Sequence, residues 1–108
     1  MDKVCPSWDG HNRNIKEYLR TLREDQRLFD VTLVTDNGQQ ILAHKIILSA
    51  GINFFRDIFL KNNHSNMMIY MKGISGEKLQ PIIDFIYNGE ALVTQEELEV
   101  FIETGKKL

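Results

Sequence analysis

Apolar and polar side chains alternate through Asp30-Val31-Thr32-Leu33-Val34-Thr35, the period of a strand with one buried face. Asp36-Asn37-Gly38-Gln39 follows, and its Asn-Gly pair predicts a tight hairpin with both central residues at positive φ. Gln40-Ile41-Leu42-Ala43 is then the return strand. From His44 the period changes. Ile47, Leu48, Phe54, Phe55, Ile58 and Phe59 cluster at spacings of three and four, which predicts two short helices joined near Gly51-Ile52-Asn53. A hairpin running straight into a helical hairpin, from Leu28 to Phe59, is the seed of a mixed core.

The flanking segments add elements on both sides. Ile15, Tyr18, Leu19 and Leu22 form one stripe of a helix that ends near Asp25, with Asn12 or Asn14 as its cap. Lys16, Glu17, Arg20, Arg23 and Glu24 take the other faces, and Arg20, Arg23 and Arg27 make a small basic ridge. The stripe suits packing on this chain or on a partner, and periodicity leaves both open. Upstream, Val4-Cys5-Pro6-Ser7-Trp8 reads as extended, with Pro6 restricting it to an edge strand or loop. Trp8 needs a burial place, on its own domain or on a second chain. Downstream, residues 61–66 form a polar loop that includes the Asn63-His64-Ser65 triplet, read as a turn rather than a glycosylation site. Met67-Met68-Ile69-Tyr70-Met71 predicts a buried strand whose methionines fill the core. Ser75 is a candidate cap for a helix with Leu79, Ile82, Ile83 and Ile86 inward and Phe85 and Tyr87 adding bulk; Pro81 predicts an irregular or 3₁₀ first turn. Asn88-Gly89 suits a left-handed cap, and Ala91-Leu92-Val93 is briefly extended. Thr94-Gln95-Glu96-Glu97 reads as a capping box, with Thr94 bonding forward and Glu97 back. The final helix runs to Leu108, with Lys106 and Lys107 complementing its dipole, and shows no stop signal, as expected of a piece of a longer polypeptide.

Composition narrows the class. At 108 residues, 43% hydrophobic and 26% charged, the chain suits one globular domain able to bury roughly 65% of its unfolded surface. With 13 basic and 15 acidic residues the net charge is −2, which argues against direct nucleic-acid contact. Cys5 is the single cysteine, so no internal disulfide forms, and a reducing compartment is expected. No apolar run predicts a membrane span.

Catalytic chemistry is not expected. Asp30, His44 and Ser49 are the residue types of a hydrolytic triad, but Ser49 lacks the G-x-S-x-G elbow, and His44 reads as a buried, hydrogen-bonded histidine. His11, His44 and Cys5 lack zinc spacing, Gly73 and Gly76 form no phosphate loop, and Cys5 has no activating neighbour. Neither metal nor cofactor is expected. Asp30 and Lys45 head an apolar strand and an apolar helix, so each charge needs a partner. They can pair within one chain or each meet the other's copy across a two-fold axis.

These residues also carry a family resemblance. Phe29-Asp30-Val31, His44-Lys45 beginning fourteen residues after Asp30, Leu48-Ser49-Ala50, Phe54-Phe55 with Phe59, and Tyr87-Asn88-Gly89 occur in the order and spacing of a BTB/POZ domain. No single motif is specific; the ordered series is, and it covers about Trp8 to Leu108. The resemblance implies an α+β fold, with a small mixed sheet flanked by helical hairpins, and an intimate homodimer. It implies an N-terminal arm at 1–10, a BTB/POZ domain at 11–108, and core positions at Leu48, Phe55, Phe59 and Tyr87. The implied interface takes Trp8, Ile15, Tyr18, Leu19 and Leu22, the charged pocket Asp30 and Lys45, and Ile52 beside the two-fold axis.

The arm, with Cys5 and Trp8, is similar to that of the tramtrack-type group of arthropod transcriptional regulators. Val4 replaces an aromatic residue, and Pro6-Ser7 replace Leu-Arg. In that group the arm exchanges between chains, which assigns Val4, Cys5 and Pro6 to assemblies such as tetramers or hexamers; Pro6 removes one ladder donor. Arg20, Arg23, Gly51 and Arg56 would border a lateral groove for corepressor peptides, and Gly51-Ile52 depart from the usual Cys-Ser there. The implied function is a homodimerisation and protein-interaction module of a nuclear regulator, not an enzyme. Its partners would be itself, other BTB chains or a corepressor, without direct nucleic-acid or membrane contact. The alternative is a cytoplasmic substrate adaptor for a cullin-type ubiquitin ligase.

Overall fold

Thr35 turns the central hairpin. In the computed structural model, which describes residues 2–108, β1 (Val31–Thr35) and β2 (Gln40–Ala43) pair antiparallel with Val31 opposite Ala43 and Leu33 opposite Ile41. The turn differs from the Asn-Gly expectation: Gly38 has φ 82°, whereas Asn37 is not among the positive-φ residues. Gly38 N–H donates to the Thr35 carbonyl at 2.9 Å, and Gln39 N–H donates to Thr35 Oγ1 at 3.1 Å. This is a three-residue loop with one left-handed residue. The buried Thr35 hydroxyl supplies the acceptor that makes a second left-handed residue unnecessary.

The chain then enters α2 (Lys45–Gly51) and α3 (Asn53–Lys61), broken by the extended backbone of Ile52 (φ −136°, ψ 123°). β3 (Met67–Met71) returns parallel to β1, Val31 beside Met67, giving the mixed sheet order β2-β1-β3. Helices α1 (His11–Glu24), α4 (Gly76–Asn88) and α5 (Gln95–Lys107) complete the α+β architecture. The core is built from the inward residues of the sheet (Val31, Leu33, Ile41, Ala43) with Leu48, Phe55, Leu79, Ile83 and Tyr87 from the helices. Leu33, Leu48, Phe55, Leu79 and Ile83 are fully buried, each contributing about 1.5–3 kcal/mol.

Several local expectations change. β3 is a strand, but one face is open: Met71 is buried and Met67 packs on the core, while Met68 and Tyr70 are exposed, so two of the three methionines are core filler. The reason is that one face of the sheet is uncovered: Leu42 of β2 is exposed on the same face as Met68, both standing beside Thr32. Helix α1 is not capped by Asn12 or Asn14. It starts after Gly10, whose left-handed backbone (φ 78°) glycine adopts freely, with no side-chain cap bond. Ser75 occupies the cap position of α4 without a side-chain bond; its carbonyl accepts from both Lys78 N–H and Leu79 N–H, a first turn shared between 3₁₀ and α geometry. Pro81 lies inside that helix. Gly89 closes it in the left-handed conformation. In the α5 cap, Thr94 Oγ1 accepts from Glu97 N–H at 3.1 Å, but no return bond from the Glu97 side chain is present among the described residues, so the box is half formed. Residues 2–8 are irregular and exposed, not a strand.

The molecule is long, 60 × 36 × 27 Å, with a radius of gyration of 16.4 Å against about 13 Å for a compact chain of this length. Every described residue up to Tyr18 is exposed.

Candidate interaction site

The C-terminal half of α1 is anchored by a polar cluster on α4. Leu22 is buried, Leu19 packs against the core, and Arg23 donates to Asp84 Oδ1 at 2.6 Å. The Arg23 guanidinium also lies 4.5 Å from the Tyr87 ring centre, within cation–π range, and Gln80 Nε2 donates to the same Asp84 oxygen at 3.0 Å. Asp84 and Tyr87, three apart on α4, share one face and present both partners to a single arginine.

Tyr87 is the centre of the joint. Its hydroxyl accepts from His44 N–H at 2.9 Å and contacts His44 Nδ1 at 2.6 Å, while His44 Nε2 lies 2.8 Å from the Arg27 carbonyl. A carbonyl only accepts, so Nε2 carries the proton and Nδ1 receives the Tyr87 hydroxyl proton. Burial pushes the Tyr87 phenol up to about 12, which keeps that donor protonated. Phe29 covers the imidazole, ring centres 4.7 Å apart. Both ring nitrogens are occupied, so His44 is the buried, bonded histidine expected, and it offers no base to Ser49.

Asp30 and Lys45 do meet, but not as opposite charges. Asp30 Oδ1 accepts the backbone N–H of Lys45 at 2.7 Å, capping α2 from fifteen residues away. The Lys45 ammonium instead donates to the His64 carbonyl and sits 6.0 Å from the Phe59 ring centre. An open first-turn N–H of α2 is a strong acceptor-seeking group, and the carboxylate satisfies it first.

The N-terminal half of α1 has no such anchorage. Ile15 is 44% and Tyr18 58% exposed. Trp8, 57% exposed, makes its one aromatic contact among the described residues with His11, ring centres 4.9 Å apart and edge-on. Ile15 and Leu19 form one wall, and Ile86 and Tyr87 the other, of an open apolar hollow of about 370 Å³. Ile52 is half-buried against the core. Val4, Cys5 and Pro6 are exposed coil. The residues assigned to a lateral groove are Arg20, Arg23, Gly51 and Arg56. Arg23 is held by Asp84, Arg56 Nε donates to the Ser49 carbonyl at 3.0 Å, and Arg20 is exposed. Gly51 marks a close approach: a Cβ there would stand 2.9 Å from Ile86 Cγ2. No group of metal-binding side chains occurs among the described residues, and no helix is long and apolar enough to cross a membrane.

Sequence spacing pointed to Tyr87 as core but not to its bonds with His44, nor to the Arg23–Asp84 pair. The only signal available was the i, i+3 placement of Asp84 and Tyr87.

The family model of the BTB/POZ domain matches residues 19–108. The chain is 37% identical over its whole length to the sex determination protein fruitless of Drosophila melanogaster and covers 11% of that protein. It is 36% identical to the longitudinals lacking protein-like of the same organism, over 94% of this chain and 79% of that protein. It is 29% identical to protein tramtrack, alpha isoform, over 98% of this chain and 13% of that protein. The chain thus spans about a tenth of the length of fruitless and tramtrack. Among solved structures, the BTB domain of zebrafish PATZ1 superposes with a TM-score of 0.81 at 24% identity, over 98% of this chain and 86% of that one. The BTB domain of human gigaxonin superposes with a TM-score of 0.78 at 24% identity over the same shares. Both likenesses bear on the fold.

Proposed function

The chain belongs to the BTB/POZ family, whose membership supports a protein-interaction module, and we propose that this one pairs with a second copy of itself to dimerise a nuclear transcriptional regulator. The observation that carries the reading is the unpartnered half of α1. Ile15 and Tyr18 continue the same stripe as Leu19 and Leu22, yet only the latter two find burial on their own chain. A two-fold partner laid against that half would bury Trp8, Ile15 and Tyr18 beside the hollow that Leu19 lines. An interface of stripe and arm together would reach the obligate class, roughly 2,000 Å². Pairing would raise the effective concentration of any attached DNA-reading unit on its site. Asp30 and Lys45 enter this proposal as a second, exchangeable pairing, since in the single chain they serve backbone groups.

The test is sedimentation-velocity mass on the purified chain over about a hundredfold range of concentration. A mass of two chains throughout is expected. A monomer at every concentration overturns the reading. A mass of four to six chains extends it to the arm at Val4, Cys5 and Pro6.

A further inference from the structure

A second concave surface lies away from the α1 hollow. The link after α4 carries Val93 beside the first turns of that helix, and α5 then starts alongside. Between them opens a groove of about 600 Å³, within the range of ligand-binding clefts. Its floor is Pro81, Val93, Val100 and Phe101; Phe85 extends the apolar surface through an edge contact with Phe101, ring centres 5.8 Å apart. Glu77, Glu96 and Glu97 stand on its rim against Lys78 alone. Their carboxylates make no hydrogen bond or ion pair among the described residues, where the one ion pair is Arg23–Asp84. Helix dipoles account for acids in the first turns of α4 and α5. These are Glu77, Glu96 and Glu97 themselves, and the packing of α5 beside α4 gathers all three around one apolar floor.

The geometry points to a docking groove for a basic amphipathic peptide segment, apolar residues seated on Pro81, Val100 and Phe101 and lysine or arginine reaching the Glu77, Glu96 and Glu97 rim. Charge complementarity chooses the occupant: an acidic segment would be repelled, a neutral one would gain nothing from the three exposed carboxylates, and a basic one is attracted by them.

The test uses the whole chain and a fluorescein-labelled amphipathic peptide of leucine and lysine, with a leucine and glutamate peptide as control. The leucine/lysine peptide should bind, more weakly at roughly 0.3 M than at 0.05 M salt. The triple variant Glu77→Gln, Glu96→Gln, Glu97→Gln, which changes only exposed positions, should weaken it on the order of tenfold. Amide shifts should centre on Val93, Val100 and Phe101. The proposal is overturned if the control binds equally, if the triple variant binds unchanged, or if the shifts fall on α1 or the sheet. It is also overturned if Val100→Asp lowers the mass of the protein, because the groove would then be a contact between copies of this chain.

Discussion

The two halves of α1 share one stripe and live in different surroundings. From Leu19 onward the helix is fixed by Leu22 in the core and by Arg23 between Asp84 and the Tyr87 ring. Before Leu19 no hydrogen bond or ion pair ties it to another element among the described residues, and Ile15 and Tyr18 stay exposed. Continuous amphipathicity therefore says that a face will be buried, not by whom. The anchored half orients the free half, so the free half is a presented surface instead of a loose end.

That contrast can be broken from its strong side first. Leu22→Asp should unfold or aggregate the chain, and Leu22→Ala should cost about 2–4 kcal/mol in urea unfolding, because the site is already filled by its own chain. A Leu22→Ala cost under about 0.5 kcal/mol would move Leu22 to the free surface. Tyr87→Phe should cost about 1–3 kcal/mol by stranding the His44 N–H and Nδ1. It should also change the alkaline limb. Because the folded phenol titrates near 12 against 10.0 when free, its contribution is complete below pH 10 and is lost as pH rises toward about 12. The fall in melting temperature over that window should be steeper in the parent than in Tyr87→Phe; equal slopes would remove Tyr87 from the joint.

Asp30→Ala should cost about 0.5–2 kcal/mol, the worth of an α2 cap, and Asp30→Asn much less, since an amide oxygen still accepts from Lys45 N–H. If Asn proves as costly as Ala, the carboxylate charge matters, and pairing with a second chain's Lys45 gains weight. The smallest stability effect belongs to Tyr18→Asp, within about 0.5 kcal/mol for the single chain. Its effect should appear in mass, shifting two chains toward one. An unchanged mass would place the interface elsewhere.

Much of the fold was legible because short-range patterns settled it. The alternation at Val31 and Leu33, the spacing of Ile47, Leu48 and Phe55, and the glycine at 89 each have one cheap solution. What escaped depends on groups distant in sequence. Asp30 was legible as a charge needing a partner, but nothing local revealed that its partner is a helix N–H rather than an ammonium. The Asn37-Gly38 turn was misread because the Thr35 hydroxyl replaces a backbone acceptor. The sequence predicts β3 as buried because an unbroken apolar run does not say that one face of the sheet stays uncovered. The candidate site divides the same way: Leu19 and Leu22 lie where their stripe put them, whereas the linkage of Arg23, Asp84, Tyr87 and His44 exists only once α1, α2 and α4 meet.

The parallel pairing of Val31 with Met67 also has a kinetic consequence. The hairpin closes locally, on a microsecond scale, whereas β3 must be brought back across thirty-six residues. The length-dependent entropy of that closure is about 3 kcal/mol, and it falls before the β1–β3 bonds repay it. Until α2 and α3 fold and shorten the path, one edge of β1 stays open. A chain still emerging from the ribosome would therefore carry a bare, apolar strand edge, ready to pair with a neighbour's copy of Met67–Met71 before its own arrives.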